Sequence, residues 1–139
     1  MFDKILCAND GSERAFHALA LAIKIAKENN SELHMVSVEE IDYMPEFIEE
    51  VREEIGTAAR RFHKVINQAR AMAEQAGVNI SPHLLAGHPV RDIVELAAEL
   101  KADLLVIGSA GHSELYERML GSRADRIVHL ARCPVLVVR

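Results

Sequence analysis

Apolar and polar positions along the chain follow two alternating rhythms. Lys4 to Ala8 (KILCA) is a short apolar run of strand length, and Asn9-Asp10-Gly11-Ser12 behind it is a turn signal. From Glu13 the pattern becomes helical. Ala15, Leu19, Ala22, Ile23 and Ala26 recur at threes and fours until Asn29-Asn30 ends the run, and Ser12 is placed to cap the first turn. Glu32 to Val38 predicts a second strand, and Glu39 to Pro45 a loop. Ile48, Val51, Ile55, Ala58, Phe62, Val65, Ala69, Met72 and Ala76 then mark one face of a long helical stretch that stops at Gly77, with Gly56 inside it leaving one helix or two open.

Val78 to Ala86 predicts a third strand, at a sheet edge or carrying a bulge because Pro82 has no N–H to give a ladder. Pro89 opens a helix whose inward positions are Val90, Ile93, Val94, Leu96, Ala97 and Leu100. Asp103 to Ile107 is apolar on consecutive positions, the pattern of a strand covered on both faces. Gly108 to Leu120 reads as a loop with room for a helical turn. Gly121-Ser122 opens a last helix with Ala124, Ile127, Val128 and Ala131 inward, and Pro134 to Arg139 closes as a fifth strand.

Five strands alternating with four helical segments predict a single α/β domain over residues 1–139, an open parallel sheet with helices on both faces. In such sheets ligands sit beyond the C-terminal ends of the strands, where the chain order reverses. Two strand ends carry chemistry here. One is Asp10, after the first strand; the other is Gly108-Ser109-Ala110-Gly111, after the fourth. Adjacent first and fourth strands would place both on one crevice. The second segment continues to Gly121-Ser122, giving glycine, two residues, glycine, nine residues, glycine, serine. Glycines allow close backbone approach, successive N–H groups form an anion nest, and a helix N-terminus attracts phosphate. The same glycines also suit plain turns and a helix cap, and the residues alone leave both accounts open.

Composition narrows the classes. The formal net charge of -5 argues against nonspecific nucleic-acid binding, which needs a basic surface. No apolar run reaches the length of a membrane helix, and MFDKILCAND lacks the basic flank and apolar core of a secretory leader, so the expected setting is cytoplasmic. Cys7 and Cys133 have no CxxC spacing and read as buried free thiols. There is no GxxxxGK[ST] loop and no GxSxG elbow; His88 reads as a structural loop residue, and His17, His34, His63, His83 and His129 show no metal-ligand spacing.

The segments KILCANDGS, GHPVRDIVELA and DLLVIGSAGHSELYERMLGSRADRIVHLARCPVLVVR resemble the universal stress protein family over essentially the whole chain. The spaced glycines resemble the form linked to ATP binding in that family. The resemblance implies a Rossmann-like, adenine nucleotide alpha hydrolase-like sheet in the order 3-2-1-4-5 and a homodimer through the fifth strand, Val135 to Arg139. It also implies binding residues by position. Ala8, Asn9 and Asp10 lie where the family holds adenine and ribose, and Ser37-Val38 end the strand that lines the adenine. Ile107 and Gly108 lie under ribose and phosphates, with Ser109 following them. Gly111, Gly121, Ser122 and Arg123 surround the phosphates. His112 is a candidate phosphate contact, with a solvent-facing histidine as the alternative.

Arg123 departs from the small or β-branched residue common at its position. The ligand implied is ATP, or AMP or ADP, with magnesium held mainly by the phosphates. The implied role is a nucleotide-responsive regulator in stress response that acts on an unidentified protein partner. Two alternatives accompany it. One is a slow magnesium-dependent ATPase using His112, Ser113 or Glu114. The other is a nucleotide-free interaction protein.

Overall fold

A computed structural model describes residues 1–41, 48–110 and 120–139, with only the backbone over 48–59, and these described residues form five strands and four helices. In chain order these are β1 (Lys4–Ala8), α1 (Glu13–Asn29), β2 (Glu32–Glu40), α2 (Ile48–Ala76), β3 (Ile80–Gly87), α3 (Pro89–Leu100), β4 (Leu104–Gly108), α4 (Ser122–Leu130) and β5 (Val135–Val138). The strands pair in parallel in the order β3-β2-β1-β4-β5. This is the α/β architecture that the alternation of elements predicts and the strand order that the family resemblance implies.

Strand alternation divides the core in two. Ile5 and Cys7 of β1, Leu33 and Met35 of β2 and Leu104 and Val106 of β4 face α1 and α2, where Leu19, Ala22 and Ala69 meet them. Leu6, Val36, Leu105 and Ile107 point the other way and pack on α3 and α4 through Val90, Ile93, Ala124 and Ile127. Burial pushes the Cys7 thiol up to about 12, which makes it an inert apolar filler. Cys133 departs from the expected burial and is only partly covered.

Several boundaries moved. β2 runs on through Glu39 and Glu40, which pair with Ala86 and Gly87 of β3. α2 is one helix, undivided at Gly56; a single interior glycine costs about 1 kcal/mol, too little to break a run this long. Val128 is exposed rather than inward, since it lies one residue, about 100°, beyond the core-facing Ile127 on a short helix. Pro82 does lie on an edge strand, opposite Met35. The loop expected over 42–45 and most of the one after Gly108 fall outside the described residues. Among the described residues no helix is long and apolar enough to cross a membrane.

Register creates one polar feature that no spacing announced. His34 of β2 and His83 of β3 meet at 2.9 Å between Nδ1 and Nε2, and His34 Nε2 lies 2.7 Å from Glu32 Oε1. With both rings neutral, His34 Nε2–H donates to Glu32, which leaves its Nδ1 to accept from His83 Nε2–H. Burial, and then the neighbouring His34, push the His83 pKa below its ordinary value. The folded chain therefore binds fewer protons here than the unfolded one as pH falls through the unfolded value of about 6.5. Stability is fully present above that pH and is lost below it. Urea unfolding midpoints should fall between pH 7.5 and 5 in wild type, and less steeply in His83→Gln; parallel slopes would contradict the assignment.

Candidate functional site

At the C-terminal ends of β1 and β4 the chain encloses a cavity of about 460 Å³, within the roughly 300–1,000 Å³ usual for small-molecule sites. Its apolar wall comes from Ala8, Val36, Val38 and Ile107 of the sheet and Pro89 and Ile93 of α3. Asn9, Asp10 and Ser12 line the β1–α1 turn, and Gly108 closes the β4 side. Gly121, Ser122, Arg123 and Ala124 contribute the start of α4.

The two helix starts at this cavity differ in how their amides are used. In the β1–α1 turn, Gly11 N–H donates to Asn9 Oδ1 and Ser12 N–H to Asp10 Oδ1, both at 2.9 Å. Ser12 Oγ accepts from Ala15 N–H and caps α1. Gly11 holds φ +87, which favours glycine, and a Cβ there would meet Val65 at 3.1 Å. The side chains of this turn thus take the Gly11, Ser12 and Ala15 amides.

At α4 the cap is Gly121, which has no side chain to offer. Its own N–H donates to the Ser109 carbonyl at 2.7 Å. Gly121 thus positions the helix start rather than presenting an amide to a ligand. The next three amides, Ser122, Arg123 and Ala124, precede the first intrahelical bond, Asp125 N–H to the Gly121 carbonyl. They have no partner among the described residues. Three donors without a partner among the described residues and the positive end of a helix dipole therefore lie beside an apolar slot, an arrangement suited to a flat apolar ring carrying an anionic tail.

The sequence-derived residues separate cleanly. Ala8, Asn9, Asp10, Val38, Ile107 and Gly108 reach the cavity, as do Gly121, Ser122 and Arg123. Ser37 does not line it. It is buried, and its hydroxyl donates to the Asn9 carbonyl at 2.7 Å. Ser109 is buried as well, its carbonyl taken by Gly121 and its N–H by the Val138 carbonyl. Gly111 and His112, with Ser113 and Glu114, fall outside the described residues. Among the described residues no group of three or more His, Cys, Asp or Glu is placed to hold a metal ion.

Pro89, Ile93 and Ser12 are wall residues that the sequence reading assigned only to helix starts and core. The signal was available for Pro89, which opens a helix at the ligand-facing end of the sheet. For Ile93 it was not, since a core position and a cavity wall have the same periodicity.

The universal stress protein family profile matches residues 1–139, the whole chain. This chain belongs to the universal stress protein family. It is 37% identical over 149 residues to universal stress protein MJ0531 of Methanocaldococcus jannaschii, covering 100% of this chain and 83% of that one. It is 36% identical over 151 residues to universal stress protein YxiE of Bacillus subtilis, covering 100% of both. A solved universal stress protein in complex with cAMP superposes with a TM-score of 0.77 at 29% identity, covering 99% of this chain and 97% of that one. The universal stress protein fold thus accounts for the whole sheet.

Proposed function

We propose that this universal stress protein binds an adenine nucleotide, ATP in the first instance, in the cavity between β1 and β4 and acts as a nucleotide-responsive regulator without rapid turnover. The observation that carries the reading is the pairing of an apolar slot with three amides at the start of α4 that have no partner among the described residues. The adenine lies against Ala8, Val38 and Ile107, Asp10 faces the ribose, and the phosphates meet the Ser122, Arg123 and Ala124 amides. The cAMP held by a related protein supports an adenine ligand for this fold. Magnesium, if it takes part, is held by the phosphates.

Mass spectrometry of small molecules released from freshly purified protein tests this directly. An adenine nucleotide at near-stoichiometric yield is expected. Its absence, together with no calorimetric signal on adding ATP, contradicts the reading.

The chain is further proposed to form a homodimer through β5. That strand is hydrogen-bonded to β4 on one side and ends the sheet on the other, and an unpaired edge invites a second strand. Sedimentation at the mass of two chains is the expected result, and a monomer at micromolar concentration the contrary one.

A further inference from the structure

Arg123 is the second residue of α4, and its guanidinium is ion-paired with Glu40, the last residue of β2. In the sheet β2 and β4 flank β1. The pair therefore links the start of the helix that follows β4 to the end of β2, across the end of β1, where Ala8, Asn9 and Asp10 line the cavity. Arg123 lines the cavity and Glu40 does not. Of the two carboxylates that end β2, Glu39 is held by Arg61 of α2 and Glu40 by Arg123, so only the second is tied to the cavity wall. Both members of the Arg123–Glu40 pair are largely exposed, and solvent-exposed pairs of this kind hold weakly.

We infer that Arg123 reads the charge of the ligand by exchanging Glu40 for phosphoryl oxygens, so that affinity rises with phosphate number and Glu40 sets the threshold. This inference rests on the nucleotide reading of the cavity. A guanidinium presents a planar fork of donors that matches a phosphate as well as a carboxylate. A terminal phosphate carries more charge than one carboxylate, and beside the three α4 amides it would meet donors that Glu40 does not share. An anion entering without displacing Glu40 would face an arginine already neutralised and a carboxylate that repels it. Adenosine, with no phosphate, has nothing with which to draw Arg123 away and would bind beneath an unchanged clasp. The pair therefore separates phosphate-rich ligands from phosphate-poor ones, a discrimination that helix amides alone make less sharply.

Titration calorimetry of the full chain with ATP, ADP, AMP and adenosine tests this in wild type, Arg123→Gln, Glu40→Gln and the double variant, with thermal melts confirming that each is folded. Arg123→Gln should weaken ATP about tenfold, the scale of a charge-assisted contact, and leave adenosine within about twofold. Glu40→Gln should tighten ATP about threefold and leave adenosine unchanged, and this gain should vanish in the double variant, because Glu40 then has no arginine to withhold. An ATP-to-adenosine ratio that Arg123→Gln does not change overturns the inference. So does a Glu40→Gln gain that persists undiminished in the double variant, which would make Glu40 a plain repulsive charge. Wild type that binds neither adenosine nor ATP removes the nucleotide reading, and this inference with it. Wild type that binds both, with a ratio insensitive to Arg123, removes this inference alone.

Discussion

Ala8→Leu is expected to weaken ATP binding on the order of 100-fold while leaving the melting temperature unchanged or slightly raised. Ala8 ends β1, is half-buried, and packs on the α3/α4 side of the sheet, where it forms part of the cavity wall. Leucine would extend its side chain into the space assigned to the adenine ring, beside Val38 and Ile107. Excluding a ring-sized apolar group from such a slot forfeits about 2–3 kcal/mol of burial, which is the fold-change stated. The added carbons fill an existing hollow rather than a packed core, so no overpacking cost is expected. Calorimetry with ATP and a thermal melt of the same sample decide it. Unchanged affinity in a folded Ala8→Leu protein would place the nucleotide elsewhere.

Gly108→Val is expected to act on the fold itself. A Cβ at this position would stand 3.2 Å from both the carbonyl carbon and the oxygen of Arg14 and 3.4 Å from the Ala15 nitrogen. Those atoms are backbone in the first turn of α1 and cannot rotate aside. Forcing extra carbons into such a contact costs about 1–3 kcal/mol, a loss of several degrees in melting temperature for a domain of this size. The loss should appear in urea unfolding of ligand-free protein as a lower midpoint at unchanged slope. Full stability in Gly108→Val would show that the glycine is needed only for the ligand. The expected loss instead gives Gly108 a packing role, with α1 pressed against the end of β4, alongside its place on the cavity wall.

Strand positions, helix faces and the edge placement of Pro82 were legible because each depends on local periodicity or on a single missing donor. Asn29-Asn30 marked the end of α1, and Asn30 ends it in the left-handed conformation. Lys101 ends α3 in the same conformation, and no residue type there signals it. Glu39 and Glu40 read as loop because charged residues are poor strand formers. They continue β2 because β3 pairs with them and because Arg61 and Arg123, distant in sequence, neutralise them. The His34–His83 contact depends on the register of two strands joined through a long helix, which local pattern does not encode. Gly121 was legible as the residue that opens α4, but not as one whose N–H is committed to Ser109. That commitment moves the expected anion donors from the glycine to the three residues after it.

Amide chemical shifts during an ATP titration of isotope-labelled protein test the central arrangement most directly. The N–H signals of Ser122, Arg123 and Ala124 should move most and downfield, with smaller shifts at Ala8, Asn9, Asp10 and Val38 and none at the far end of β3. Saturating ATP that leaves those three amides in place, or moves a different surface instead, would show that the start of α4 does not hold the phosphates.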